Sequence, residues 1–228
     1  MMDVVETLRS FLALGGPVVA LLLLLSLVAL AAIVFKLQQF FAERVGRHGA
    51  ARRAVAAWRQ GRVAEARATA EEDQGVVGAC LAAAMSLASR RAARPEIEEE
   101  IVRIATGRLH ELQRGFRLLD AISQIAPLLG LFGTVLGMIE AFQQLQTAGN
   151  AVDPSILAGG IWVALLTTAV GLAVAMPVSL VLTWFETRLE NERVAVETLT
   201  AALFSPQESE AAAAPSAIHA EAGPRHAR

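Results

Sequence analysis

Two stretches decide the architecture: APLLGLFGTVLGMIEAF at residues 126–142 and GGIWVALLTTAVGLAVAMP at residues 159–177. Each is apolar enough for a bilayer, yet each carries small or hydroxylated residues at helical spacing. In the first, Ser123, Pro127, Gly130, Thr134, Gly137 and Ala141 recur by four and three. In the second, Gly160, Ala164, Thr168, Gly171, Ala175 and Ser179 follow nearly the same steps. That spacing places each set on one helical face. In lipid, small residues let backbones approach closely, so such faces mark helix–helix contact rather than lipid contact. Gly130, Gly133, Gly137, Gly160 and Gly171 are therefore expected to be helix-packing positions.

Working outward, charge-free runs fix the number of spans. Residues 10–35 hold 26 positions without a charge, 121–139 hold 19 and 154–185 hold 32. A membrane-spanning helix needs about 20 apolar residues, so all three qualify. The total hydrophobic content of 54% is only suggestive, because soluble domains average about 45–50%. Ala29-Leu30-Ala31 matches a signal-peptidase pattern, but Asp3 and Glu6 against one Arg9 give the preceding segment the wrong sign. The apolar run also exceeds the usual signal-peptide core of about 7–15 residues, so the first segment is read as a span.

Charge sets the expected orientation. Fifteen of the 20 Lys and Arg lie between Lys36 and Arg117, whereas the connection around 146–155 has none and carries Asp153. The positive-inside rule then makes the middle segment cytoplasmic and the N-terminus external. The expected layout is an all-α integral membrane protein. An external N-terminus (1–14) leads into transmembrane helix 1 (15–35), a long helical cytoplasmic region (36–120) and transmembrane helix 2 (121–145). An outer loop (146–155), transmembrane helix 3 (156–184), a cytoplasmic helical extension (185–204) and a disordered tail (205–228) follow.

Within the cytoplasmic region, residues 36–72 read as helix with a turn at Gly61, and Gly75 and Gly78 mark the next break. Pro95 opens a further helix whose first turn carries Glu96, Glu98, Glu99 and Glu100, where the helix dipole favours carboxylates. Ile97, Ile101, Ala105, Leu109, Leu112, Phe116 and Leu119 recur at helical spacing. With no strong breaker before span two, one continuous helix over about residues 96–145 is expected. It would be about 75 Å long at 1.5 Å per residue, with Pro127 as its kink.

The chemistry classes that the sequence disfavours are equally plain. Cys80 is the single cysteine, so there is no disulfide framework and no multi-cysteine metal site. In GACLAAAM it reads as a small packing residue. His48 and His110 lack metal-like spacing, and His219 and His226 sit in a polar tail. There are no paired catalytic carboxylates, no Cys/His constellation and no phosphate loop. Neither an enzyme, a cofactor, a metal nor a nucleic-acid partner is expected.

GLFGTVLGMIEAF followed by GIWVALLTTAVGLAVAMP resembles the ExbB/TolQ branch of the MotA/TolQ/ExbB proton-channel proteins, over about residues 10–200. The resemblance implies a bacterial inner-membrane subunit with a periplasmic N-terminus that forms a ring, usually a pentamer. The ring surrounds single-span helices of an ExbD- or TolR-like partner whose membrane aspartate takes up and releases protons. It implies further that motion passes to a TonB- or TolA-like protein reaching across the periplasm. The TonB branch powers outer-membrane transport and the TolQ branch supports outer-membrane integrity.

A partner carboxylate at membrane depth is costly when ionised and needs a polar lining. Thr134 lies about 20 Å from the inner edge and Thr168 about 18 Å from the outer edge, which puts both in the middle zone. Both match family positions whose hydroxyls face the channel, and both are expected to line it. For Thr167 a bond to its own helix's carbonyl is expected instead. Many relatives read GI-x-E-A-L in span three, with a glutamate where this chain has Val163. Valine cannot titrate, so that proton-handling step is missing here, which keeps a non-conducting scaffold as an alternative. Glu140, about 29 Å along span two, is a possible channel-mouth residue. Asp120 is expected to pair with Arg114 or Arg117, and Trp162 and Trp184 to anchor the interfaces. The cluster Arg44, Arg47, Arg52 and Arg53 reads as a topology signal or an anionic-lipid contact.

Overall fold

The fold was analysed on a computed structural model, which describes residues 2–147 and 154–205. Among those residues every regular element is an α-helix. They are α1 (Met2–Ala42), α2 (Gly49–Arg59), α3 (Val63–Glu71), α4 (Val76–Ser89), α5 (Arg94–Gln113), α6 (Phe116–Thr147) and α7 (Pro154–Ala201). Three helical stretches are long and apolar enough to cross a membrane: Gly16–Ala42, Arg94–Thr147 (α5 with α6) and Leu157–Ala201. This is the all-helical, three-span class expected from the charge-free runs. The tail beyond 205 and most of the expected outer loop lie outside the described residues.

The chain divides into two compact units. One comprises Met1–Val45 and Leu109–Asn191, and the other Gly46–Arg108 and Glu192–Arg228. In the first unit, α1 is interrupted at Gly16, whose φ of 62° lies in the left-handed region, and Pro17 follows. Proline suits the first position of a restarted helix because no hydrogen-bond partner is needed there for its missing N–H.

The expected continuous helix over 96–145 is not found. α5 ends at Gln113 and α6 begins at Phe116, with Gly115 at φ 90° between them. The cause lies 75 residues or more back along the chain. Lys36, buried with only 4% exposure, donates from Nζ to Leu112 O at 3.1 Å and to Glu111 O at 3.5 Å. A cation on the last carbonyls of α5 replaces the amides that a continuing helix would have supplied. Gln39 Oε1 takes a third Nζ bond at 2.7 Å, and the Phe116 ring centroid lies 5.8 Å away. The Gly115 carbonyl then accepts the amides of Leu118 and Leu119 and starts α6. Pro127, the expected kink, sits inside an unbroken α6.

Beside this cap, Phe40, Phe116, Trp184 and Phe185 form an aromatic cluster. Phe185 is fully buried, with centroids 4.9 Å from Phe40 and 5.8 Å from Phe116. Tilted and offset ring pairs at such separations are favourable beyond their buried area. Trp184 thus packs against the cluster as well as standing near a span end.

The second unit has a fine-grained alanine core. Ala51, Ala54 and Ala57 of α2, Ala66 and Ala70 of α3, and Cys80, Leu81, Ala84 and Met85 of α4 are buried. Residues 36–72 are helical with the expected turn at Gly61, over 60–62, and with a further, unexpected break at 43–48. Gly46 (φ 85°) and Gly61 (φ 76°) supply the left-handed backbone at those turns. Gly78, expected in a break, lies in the first turn of α4 instead. A Cβ there would run into the backbone and side chain of Asp73, whose Oδ1 accepts the Gly75 amide at 3.0 Å. Glu192, buried, accepts from the Gly46 amide and sits 2.9 Å from His48 Nε2. Desolvation pushes the Cys80 thiol up to about 12, so it stays protonated and unreactive at neutral pH.

Lys36→Met keeps the apolar stem but removes the donor from the Leu112 carbonyl. A buried acceptor left unsatisfied costs about 1–3 kcal/mol. A lowered unfolding midpoint in detergent is the expected outcome, and an unchanged midpoint would show the cap to be idle.

Candidate functional site

The site is the face where α6 meets α7 in the first unit. Ala141 meets Gly160, Gly137 meets Ala164, Gly133 meets Thr167, and Gly130 and Ala126 meet Gly171. Numbers fall along one helix as they rise along the other, so the two run antiparallel. The fit leaves no room for side chains at the glycines. A Cβ on Gly130 would stand 2.9 Å from Thr167 O and 3.0 Å from Thr168 Cα. One on Gly133 would stand 2.6 Å from Thr167 Oγ1, and one on Gly171 2.6 Å from Ala126 O. A Cβ on Gly160 would meet the Ala141 methyl. Real Cβ contacts essentially never come under 3.0 Å, so the backbones touch because side chains are missing.

Hydroxyls bridge this close contact. Thr167, 2% exposed, reaches Ala164 O of its own helix at 2.7 Å and Gly130 O of α6 at 3.1 Å. Thr168, half-buried, donates to the same Gly130 O at 3.2 Å. Thr134 is half-buried and makes its bond within α6, to Leu131 O at 2.6 Å. The structure therefore gathers Thr167, Thr168, Gly130, Gly133 and Gly171 into one cluster. Thr134 stands on α6 with a separate bond, and Glu140 is exposed further along that helix. Val163 is half-buried on α7, one turn from Thr167.

One expectation is corrected here and another is extended. Asp120 is held by the Gln124 amide, Nε2 to Oδ1 at 2.7 Å, rather than by Arg114 or Arg117. Residues four apart share a helix face, which brings the Gln124 amide onto the Asp120 carboxylate. Thr167 bonds its own helix, as threonine in spans does, but it also crosses to α6. That second bond depends on Gly133, where a Cβ would collide with the Thr167 side chain, and no local pattern in the sequence announces it. Among the described residues no group of three or more His, Cys, Asp or Glu is placed to hold a metal ion.

Gly133→Val would press a branched side chain onto Thr167. Overpacking of this kind costs about 1–3 kcal/mol, so the melting midpoint in detergent is expected to fall. Gly107→Ala, with nothing within 4 Å of the added methyl, is expected not to lower it. Equal behaviour of the two variants would contradict the close contact.

Residues 72–198 match the model of the MotA/TolQ/ExbB proton channel family. The chain is 48% identical over 68 residues to biopolymer transport protein exbB1 of Vibrio cholerae, a stretch covering 30% of each chain. It is 36% identical over 106 residues to a putative ExbB homolog of Methanothermobacter thermautotrophicus, covering 46% of this chain and 37% of that one. It is also 36% identical over 90 residues to the Tol-Pal system protein TolQ of Pseudomonas aeruginosa, covering 39% and 38%. The matched stretches thus span well under half of these relatives' length. The family match covers more than half of this chain and takes in α6 and the α7 glycine and threonine positions. By that match, the chain belongs to the MotA/TolQ/ExbB proton channel family.

Proposed function

We propose that the chain is an ExbB-like inner-membrane subunit of a proton-gradient-driven complex that powers TonB-dependent outer-membrane transport. The observation that carries this reading is the pair of adjacent threonine hydroxyls meeting one backbone carbonyl inside two otherwise apolar helices. A group that gains and loses charge at membrane depth needs such polar lining. Val163 cannot titrate, so the carboxylate that cycles belongs to the partner. That partner is an ExbD- or TolR-like single-span protein with a membrane aspartate, held by a ring of these chains, a pentamer in this reading. Thr134 and Thr168 line the path and Glu140 stands at its outer mouth. The cation-rich segment between Lys36 and Arg117 supports a cytoplasmic middle region and C-terminus, with the N-terminus in the periplasm. A TolQ-like role in outer-membrane integrity is the second reading, favoured by the match to the Pseudomonas aeruginosa protein.

Affinity purification of the tagged chain from native membranes tests the assignment. Recovery of a single-span protein with a membrane aspartate and a TonB-like companion is expected. A TolA-like companion would select the second reading. A homo-oligomer alone, with the partner expressed, would contradict both and favour a scaffold.

In liposomes holding the complex, Thr168→Val is expected to lower proton flux about tenfold or more, the oligomer mass being unchanged. A hydrogen bond to a charged group contributes about 1.5–3 kcal/mol, and about 1.4 kcal/mol is a factor of ten in rate. Unaltered flux would remove Thr168 from the path.

A further inference from the structure

Thr167 and Thr168 compete for one acceptor. In the unbroken helix α6 the Gly130 carbonyl takes the amide of Thr134 in the usual backbone pattern. A carbonyl oxygen has two lone pairs, so one remains for two hydroxyls, at 3.1 and 3.2 Å. Each hydroxyl has a single proton to donate. The two threonines differ in their alternatives. Thr167 is buried and has a second acceptor at hand, Ala164 O at 2.7 Å. Thr168 is half-buried, and Gly130 O is the acceptor within its reach.

We infer that Thr167 is a positioning residue that exchanges donation to Gly130 O with Thr168, which lets Thr168 present either a donor or an acceptor to a carboxyl group in the channel. The inference rests on the proposed channel function and deepens it. When Thr167 donates to Ala164 O, Thr168 donates to Gly130 O and turns lone pairs outward. A protonated carboxylic acid donates to those lone pairs. When an ionised carboxylate is in place, Thr168 rotates to donate to it, and Thr167 swings its proton onto Gly130 O. The carbonyl inside the helix pair therefore keeps a hydroxyl donor in both states, and no buried acceptor is stranded. No proton leaves either hydroxyl; only the torsions of the two O–H groups change. Without Thr167, each visit of Thr168 to the carboxylate would strip Gly130 O of its hydroxyl partner.

Thr167→Val keeps the shape against Gly133 and removes the hydroxyl, while Thr168 still serves Gly130 O, so assembly is retained. Thr167→Ser keeps the hydroxyl and loses the methyl. In liposomes with the single-span partner, the valine variant is expected to lose flux about two- to tenfold, the equivalent of one neutral hydrogen bond. The serine variant should stay near wild type. A role in packing alone predicts the reverse order, with valine tolerated and serine impaired, and that order would overturn the inference. Should the valine variant fail to assemble, Thr167→Ala must show the same loss of flux, and wild-type flux in it would equally overturn the exchange. A wild-type complex without any flux would instead sink the functional reading on which the inference stands.

Discussion

The contact on which the rest depends is backbone against backbone between α6 and α7. Each pairing, from Ala126 with Gly171 through Gly133 with Thr167 to Ala141 with Gly160, works because at least one partner is small. Inside a bilayer no hydrophobic force drives two apolar helices together, since lipid tails are as apolar as leucine. Packing and interhelical hydrogen bonds must do so. Glycine supplies the first by letting the axes close, and that closeness brings the Gly130 carbonyl within reach of hydroxyls on the other helix. The large side chains Leu128, Leu131, Phe132 and Val135 of α6 and Leu165, Leu172 and Leu180 of α7 stay exposed in the single chain. That surface suits lipid or further helices.

Much of this was legible in the sequence, for physical reasons. Charge-free runs of sufficient length leave few alternatives to spanning helices, and small residues every third or fourth position mark a face whatever that face meets. What the spacing does not contain is the identity of the facing atoms. Gly133 and Thr167 are 34 positions apart, and nothing local says that one makes room for the other. The same limit explains the missed break between α5 and α6. Apolar periodicity runs unbroken from Ile97 to Leu119, and Gly115 alone is a weak signal because helices tolerate isolated glycines. The break exists because Lys36, distant in sequence, occupies the carbonyls that a continuous helix would use. Gly78 erred in the opposite direction. It reads as punctuation but serves close approach to Asp73 within a helix.

The lysine cap and the threonine cluster solve related problems at two depths of one unit. A carbonyl freed at a helix end is satisfied by a cation near the end of the span, where Lys36 sits beside aromatic rings. A carbonyl that stays in its helix at mid-span is approached by neutral hydroxyls. That division follows the cost of charge, which is highest at the centre of the bilayer. On the proposed function, it also accounts for how a chain with valine at position 163 could serve charge transfer. The titrating group need not be its own if its hydroxyls can meet that group in both protonation states.

The pairing of α6 with α7 within one chain is the central claim, and a disulfide tests it most directly. A Cβ on Gly137 would stand 3.2 Å from the Ala164 Cβ, close to the separation of about 3.5–4.5 Å found across disulfides. In a Cys80→Ala background, Gly137→Cys with Ala164→Cys should oxidise readily in membranes. The product should run as a single chain of altered mobility on a non-reducing gel. A cross-linked dimer, or no cross-link under oxidant, would contradict the intrachain interface and with it the geometry of the threonine cluster.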